Sequence, residues 1–217
     1  MKNDRLKVLA TLLLAVGLMT VPGLGLAKGG AKLTKAETET SAPEIAWAEE
    51  WLRQVKTLEA RFLQSDDMGN ERQGRVWLSR PGKMRLEYDA PRQDLVVADG
   101  LFVHVWDAGL GESSSVPLDS SPAALLLRDN LALNGKDVAV TGVLNYPGGF
   151  EVTLTQRDKK DAGNLTLVFE TAPLALRQWR ITDPQGLVTR VTLQDLRPGG
   201  EIDSQRFVYV NPNFGKK

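Results

Sequence analysis

The sequence contains no cysteine and a single histidine, His104. The absence of thiols excludes disulfides, thiolate metal sites and a lipid anchor attached through an N-terminal cysteine. Stability must therefore come from an ordinary packed core. Lysine and arginine together number 27, as do aspartate and glutamate, so the chain has no broad basic field of the kind that binds nucleic acid.

Groups that carry catalysis are equally scarce. His104 lies in a predicted strand, where it faces outward or makes one structural hydrogen bond. Serines 113–115 lack the glycine frame of a nucleophile elbow, and Asp66 and Asp67 fit a hairpin better than a calcium loop. We therefore expect a protein that is not an enzyme and that has no cofactor and no metal ion. A lipid hydrolase using His104 and this serine run is the enzymatic alternative.

The first 27 residues predict a secretory signal peptide. Three basic residues precede an apolar run over residues 8–21, and two small residues, Gly25 and Ala27, follow it at a plausible cleavage site. The alternative is a membrane anchor, but the run is shorter than the roughly 20 apolar residues that a spanning helix needs. We expect residues 1–27 to be removed and the remainder to be free in solution.

The composition changes near Pro43. Residues 28–43 are too polar to bury much surface, which predicts a flexible leader. No second boundary follows, so residues 44–217 are predicted to form one domain. Large apolar residues then recur at spacings of three and four, which predicts one amphipathic helix of about four turns. These residues are Trp47, Trp51, Leu52, Val55 and Leu58.

Beyond the helix, apolar and polar residues alternate with a period of two, which is typical of strands with one buried face. Glycine and proline turns such as Pro81-Gly82 separate the runs, so we expect a meander of hairpins. A sheet of about ten such strands must close or curl over a plug to hide its apolar face. The predicted strands are 60–64, 73–79, 83–89, 94–98, 102–106, 113–118, 138–144, 150–155, 165–170, 176–181, 188–193 and 206–210.

One segment interrupts the meander. Ser120 and Ser121 followed by Pro122 supply a helix cap and a proline for the first turn, and the sequence continues with two alanines and Leu125, Leu126 and Leu127. This predicts a short apolar helix that can serve as a plug or lid.

Five blocks of sequence carry a family resemblance. They are residues 51–64, 74–88, 97–100, 103–107 and 121–127, which read WLRQVKTLEARFLQ, GRVWLSRPGKMRLEY, VADG, VHVWD and SPAALLL. In order and spacing these blocks resemble the LolA family of bacterial outer-membrane lipoprotein carriers, over most of residues 47–211.

The resemblance implies a mainly β fold, namely an unclosed, strongly curved antiparallel β-barrel with an α-helical lid. It also implies a periplasmic location and a hydrophobic cavity for the acyl chains of lipoproteins. Carriers of this family receive acylated lipoproteins from an inner-membrane lipoprotein-releasing ABC transporter and pass them to an outer-membrane acceptor. We expect this chain to do the same as a monomer, or alternatively to act as a non-enzymatic lipid or lipoprotein sensor with the same fold.

The resemblance also implies a role for Arg80, which matches an arginine that holds the lid closed by hydrogen bonds to its backbone. Sequence pattern alone favours a solvated hairpin arginine instead. Met84 stands where some family members have an aromatic residue involved in cargo release, so that role is not transferred. Trp47 and Trp51 fit either the cavity or a plain core.

A dry interior is what a lipid carrier needs, because each methylene removed from water is worth ~0.8 kcal/mol and one long chain on the order of 10 kcal/mol. Leu125, Leu126 and Leu127 are expected to cover this interior. The residues expected to line it are Trp47, Trp51, Met84, Leu86, Tyr88, Phe150, Val152 and Leu154.

Overall fold

The structure is a computed structural model that describes residues 43–133 and 135–214. The predicted signal peptide and nearly all of the predicted leader, residues 1–42, lie outside the described residues. Within the described part of the chain, no helix has both the length and the apolar character needed to cross a bilayer.

The first described element is helix α1, Pro43–Gln54. Proline at its start and Glu44 in its first turn suit a helix N-terminus, and Arg53 suits the last turn. The predicted helix was too long at its C-terminal end, because Leu58 belongs to the first strand. Leu58 and Ala60 both lie on the buried face of that strand. Leu58 also fits the spacing of the apolar residues in the helix, so the change to a period of two is hidden at this position.

Eleven strands follow in the described residues, and all belong to one antiparallel sheet. They are β1 (Thr57–Asp66), β2 (Glu71–Ser79), β3 (Lys83–Tyr88), β4 (Leu95–Asp99), β5 (Phe102–Asp107), β6 (Glu112–Pro117), β7 (Val138–Tyr146), β8 (Gly149–Gln156), β9 (Asn164–Thr171), β10 (Leu174–Thr182) and β11 (Val188–Pro198).

The strand order is β6-β5-β4-β3-β2-β1-β11-β10-β9-β8-β7. Two meanders, β1 to β6 and β7 to β11, are therefore joined by the pairing of β1 with β11, and β6 and β7 are the two edges. The sheet is unclosed and curved, and its inner face, α1 and the segment between β6 and β7 share one buried apolar cluster. The predicted fold class, an unclosed antiparallel β-barrel, is confirmed.

Glycine is required at position 74, where two strands and an aromatic ring approach closely. A Cβ atom at Gly74 in β2 would lie 2.0 Å from the carbonyl oxygen of Glu87 and 2.8 Å from a ring carbon of Phe62. Both distances are shorter than any real contact of a side chain. The Phe62 ring packs edge-on against Tyr88, with centroids 5.1 Å apart. It can occupy this position only because residue 74 has no side chain.

The last described segment, residues 203–214, crosses the outer face of β2 to β6, and we call it the C-terminal strap. The guanidinium of Arg206 lies 4.2 Å from the centre of the Trp77 ring, and Tyr209 packs on the small outer cluster of Leu95, Val97 and Trp106. A strand predicted at 206–210 is wrong. The strap instead begins with the 3-10 helix Ser204–Phe207, because its apolar residues contact the outer face of the sheet and do not pair with an edge.

Candidate functional site

The chain between the edge strands β6 and β7 forms a lid over the inner face. We call its residues 118–133 the lid segment, and its main element is the 3-10 helix Pro122–Leu127. Ser121 Oγ accepts a hydrogen bond from the Ala123 N–H at 3.2 Å, and Pro122 occupies the first turn, as the sequence indicated. At six residues this helix is longer than most 3-10 helices, which rarely exceed about four residues. All six of its residues are buried.

The lid helix packs against β8 and β9. Leu125, Leu126 and Leu127 are all at most 1% exposed, and they belong to the same apolar cluster as the inner face of the sheet. Burying one leucine side chain contributes roughly 1.5–3 kcal/mol. The lid helix is therefore held against the sheet by apolar contact.

The residues expected to line the interior are brought together, with one exception. Seven of them are buried in the cluster, and Trp51 also packs edge-on against Phe169, with ring centroids 5.7 Å apart. Trp47 is 46% exposed and lies at the rim, with its ring centroid 6.0 Å from that of Phe150. The seven buried residues are Trp51, Met84, Leu86, Tyr88, Phe150, Val152 and Leu154.

Arg80 lies in the turn between β2 and β3, is only 6% exposed, and contacts both the lid and α1. Its Nε donates to the carbonyl oxygen of Leu126 at 2.8 Å. Its Nη1 donates to the carbonyl oxygens of Leu52 at 2.7 Å and Val55 at 2.6 Å. A cation at these carbonyls complements the C-terminal end of α1. The turn thus positions one guanidinium between the lid helix and the first helix.

The charge of Arg80 is held almost entirely by backbone carbonyls. Burial lowers the pKa of its guanidinium to about 10, while the nearby Asp129 carboxylate opposes this change. Arg80 is therefore still a cation at neutral pH. Its Nη2 is buried and has no hydrogen-bond partner among the described residues.

Backbone and charged contacts hold the lid segment near Arg80. The Gly82 N–H donates to the carbonyl oxygen of Leu127 at 2.8 Å. Lys56 Nζ lies 2.7 Å from Asp129 Oδ1 and 3.0 Å from the carbonyl oxygen of the same residue. The Leu133 N–H donates to Glu49 Oε1 at 2.6 Å. These contacts tie the end of the lid segment to α1 and to the β2–β3 turn.

Other polar contacts hold the beginning of the lid segment. Gln156, a buried residue at the end of β8, donates from Nε2 to the carbonyl oxygen of Ser121 at 3.3 Å. Lys159 Nζ lies 3.0 Å from Asp119 Oδ2. Sequence reasoning missed these partners, and a buried glutamine that ends an alternating strand is the one local signal that could have indicated them. The lid is therefore apolar beneath and tethered by polar groups at both ends.

A cleft of about 970 Å³ lies at the end of the sheet away from the Arg80 turn. Both of its arginines are already paired within the protein, since Arg72 Nη1 donates to Asp94 at 2.9 Å and Arg92 Nη2 donates to Asp107 at 3.1 Å. Tyr88 borders both this cleft and the interior, and its hydroxyl donates to Gln64 Oε1 at 2.6 Å. Burial raises the pKa of Tyr88, so this hydroxyl keeps its proton.

His104 lies on the outer face, away from the lid. Its Nδ1 is 2.8 Å from Ser115 Oγ and its Nε2 is 3.0 Å from Asp99 Oδ2. Its ring stacks on Tyr209 at 4.7 Å and an interplanar angle of 5°. Ser115 lies within β6 and pairs with His104 across the sheet, which differs from the sharp turn that presents a nucleophilic serine. The cluster holds the C-terminal strap, and in the described residues no group of His, Asp or Glu could hold a metal ion.

The chain matches known proteins over most of the described residues. Residues 53–210 match the family model described as "Outer membrane lipoprotein carrier protein LolA". A protein named outer-membrane lipoprotein carrier protein from Chromohalobacter salexigens is 34% identical, covering 65% of this chain and 68% of that protein. One of the same name from Chromobacterium violaceum is 28% identical, covering 79% of this chain and 85% of that protein.

Among solved structures, a LolA superfamily protein from Nitrosomonas europaea is 9% identical, with a TM-score of 0.44 covering 77% of this chain and 96% of that one. The family match includes the Arg80 turn, the lid helix and all eleven described strands. Members of the matched family are carrier chaperones and not enzymes, which agrees with the expectation from the sequence. The chain belongs to the outer membrane lipoprotein carrier protein LolA family.

Proposed function

We propose that this protein is a periplasmic carrier that holds the acyl chains of lipoproteins in the interior beneath the lid segment. The observation that carries the proposal is the continuity of the lid with the interior. The three lid leucines and the inner face of the sheet form one apolar cluster, while polar tethers hold the two ends of the lid helix. A cover of this design can leave as a unit and expose hydrocarbon-binding surface.

In the proposed mechanism, an acyl chain takes the place of the lid leucines against β8 and β9. The acyl chain replaces the lid leucines as the apolar partner of β8 and β9, so the inner face of the sheet stays out of contact with water. Opening breaks the Arg80 contact with Leu126 and the Lys56 contact with Asp129, and closing restores them. Arg80 serves as the latch of the lid in this proposal.

The proposal includes a route. Residues 1–27 direct export and are removed, residues 28–43 form a leader, and residues 44–217 are the carrier domain. The protein works as a monomer that takes lipoproteins from the inner-membrane lipoprotein-releasing ABC transporter and delivers them to an outer-membrane acceptor. Depleting it in its own cell should leave lipoproteins in the inner membrane. Correct sorting after depletion would contradict the route.

The lid can be locked to test the proposal. Lys56 and Asp129 are both about half exposed, and the chain has no cysteine of its own. The double variant Lys56→Cys, Asp129→Cys can therefore be crosslinked by a short bis-maleimide without background labelling. We expect the crosslinked protein to stay folded and to stop binding an acylated lipoprotein, measured by co-purification.

Each single-cysteine variant, treated with the same reagent, is the control and should bind the lipoprotein. Undiminished binding after crosslinking would show that the lid does not gate the site. If the folded wild-type protein bound neither acylated lipoprotein nor a fluorescent fatty acyl probe, the carrier function itself would be wrong.

A further inference from the structure

One edge of the buried Arg80 guanidinium is only half used. In the planar guanidinium the Nε–H and one Nη2–H point the same way along one edge, where they can face two oxygens of a single group. In the closed structure Nε donates to the carbonyl oxygen of Leu126 at 2.8 Å. Nη2 is shielded from solvent and has no partner among the described residues. The lid carbonyl therefore fills half of a two-donor site.

The rest of the guanidinium is fixed independently of the lid. Nη1 donates to the carbonyl oxygens of Leu52 and Val55 at the end of α1. The backbone N–H of Arg80 donates to the carbonyl oxygen of Lys56 at 2.8 Å and fixes the position of the residue. Lid opening removes the Leu126 carbonyl and leaves the guanidinium in place, so both donors of the Nε/Nη2 edge then lack partners. Unpaired donors on a buried cation are costly, and an incoming oxygen acceptor is favoured there.

We propose that the Nε/Nη2 edge of Arg80 binds the carbonyl oxygens of acyl esters on the cargo and takes them in exchange for the Leu126 carbonyl when the lid opens. The inference rests on the proposed carrier function and names the polar part of the cargo that the interior recognises. An acyl chain that fills the interior ends in such a carbonyl, and Arg80 is buried beside that interior. At a buried site a hydrogen bond to a charged donor is strong.

The exchange has a consequence for selectivity. A ligand that is only hydrocarbon can displace the lid leucines, but it leaves two charged donors unpaired. An acyl ester satisfies them, so the open state is stabilised only by amphiphiles that have a carbonyl at the end of the chain.

Two matched probes, methyl laurate and dodecyl methyl ether, test this directly because they differ mainly in the carbonyl group. Their affinities for the purified protein can be measured by competition against a fluorescent acyl probe. We expect the wild-type protein to prefer the ester on the order of tenfold, as for a hydrogen bond to a charged group. Arg80→Met should abolish the preference. If that variant does not fold, Arg80→Lys keeps the charge without the two-donor edge and should lose most of the preference.

Lys159→Met is the matched control, because it removes a lid tether, to Asp119, that lies at the other end of the lid segment from Arg80. It should change both affinities by the same factor and keep their ratio. Laurate distinguishes a free fatty acid from an ester, and tight binding of laurate without any preference for the ester over the ether would overturn the ester assignment.

Equal wild-type affinities for the ester and the ether would also overturn the proposal, as would a preference that survives Arg80→Met. The free Nη2 would then be satisfied by ordered water only. If the wild-type protein bound neither probe, the result would count against the carrier function and not against the assignment of this edge.

Discussion

At the scale of single residues, Arg80 is the position where a small change should have the largest effect on the lid. Arg80→Leu removes the donor to Leu126 and both donors to the end of α1. Each hydrogen bond to a charged group is worth roughly 1.5–3 kcal/mol. We expect the amides of the lid helix to exchange roughly 10- to 100-fold faster, with the sheet still folded and cargo transfer impaired. Hydrogen exchange with mass spectrometry measures the change.

Arg75→Leu is the control for this prediction. Arg75 lies on the same strand, β2, but is exposed, so the substitution removes a charge of the same kind without touching the lid. Unchanged exchange of the lid helix in Arg80→Leu would rule out the latch.

Asp99 gives a second residue-scale prediction, which concerns pH. Burial alone would raise the pKa of its carboxyl, but the Phe102 N–H, the His104 ring and the Leu101 N–H together lower it to about 2. A depressed pKa stabilises the fold above the unfolded value of about 3.9, and this contribution is lost as the pH falls toward 2. Because Asp99 is partly exposed, screening limits the expected cost of Asp99→Asn at pH 7 to about 1 kcal/mol.

Urea unfolding of wild-type protein and Asp99→Asn between pH 7 and pH 2 measures this effect. The difference in unfolding free energy should be constant down to about pH 4 and then shrink. A difference that persisted unchanged at pH 2 would contradict the assignment.

At the scale of elements, the lid helix should open independently of global unfolding, whereas the strands of the sheet should unfold together. Leu154 lies in β8, which is paired on both sides, so Leu154→Ala should cost the roughly 2–5 kcal/mol of a core truncation. Leu126 is also buried, but under the proposed function it belongs to a segment that detaches before the sheet unfolds. We expect Leu126→Ala to lower global stability less, while accelerating exchange of the lid helix more. Equal losses in the two variants would mean that the lid is an inseparable part of the core.

The C-terminal strap is a second element with its own prediction. Tyr209 stacks on His104 and its hydroxyl lies 2.5 Å from Ser113 Oγ. Tyr209→Ala should release the strap from Trp106, at a cost of about 1–2 kcal/mol in unfolding free energy. Acrylamide quenching of tryptophan fluorescence should increase, because Trp77 and Trp106 lie beneath the strap. Quenching identical to wild type would show that the strap does not cover this face.

At the scale of the whole molecule, the features predictable from the sequence were those that depend on the spacing of apolar residues along the chain. Met84, Leu86 and Tyr88 alternate with polar neighbours, and the inner face of β3 follows from that pattern alone. The lid helix was predictable from Ser121 and Pro122, because capping is local chemistry. The family resemblance added the curvature of the sheet and the position of Arg80.

The remainder depends on contacts between distant parts of the chain. The pairing of Phe62 with Leu193 in β1 and β11 has no local signal. The alternation of β8 indicates that Gln156 is buried, but nothing local identifies Ser121 as its partner. The strap was mistaken for a strand because Phe207 and Tyr209 alternate correctly, although they contact the outer face without pairing to an edge. Likewise the unused donor of Arg80 could be recognised only from its surroundings.

The strand order has a further mechanical consequence. The first and last strands, β1 and β11, pair with each other at the middle of the sheet. The longest connection between strands, from β6 to β7, joins the two edges of the sheet. A single peptide-bond cleavage in that connection would leave every ladder of backbone hydrogen bonds intact and would free the margins to move apart. The two fragments of the cleaved protein should stay associated through the pairing of β1 with β11. They would have lost the covalent link that limits how far the two edge strands can separate.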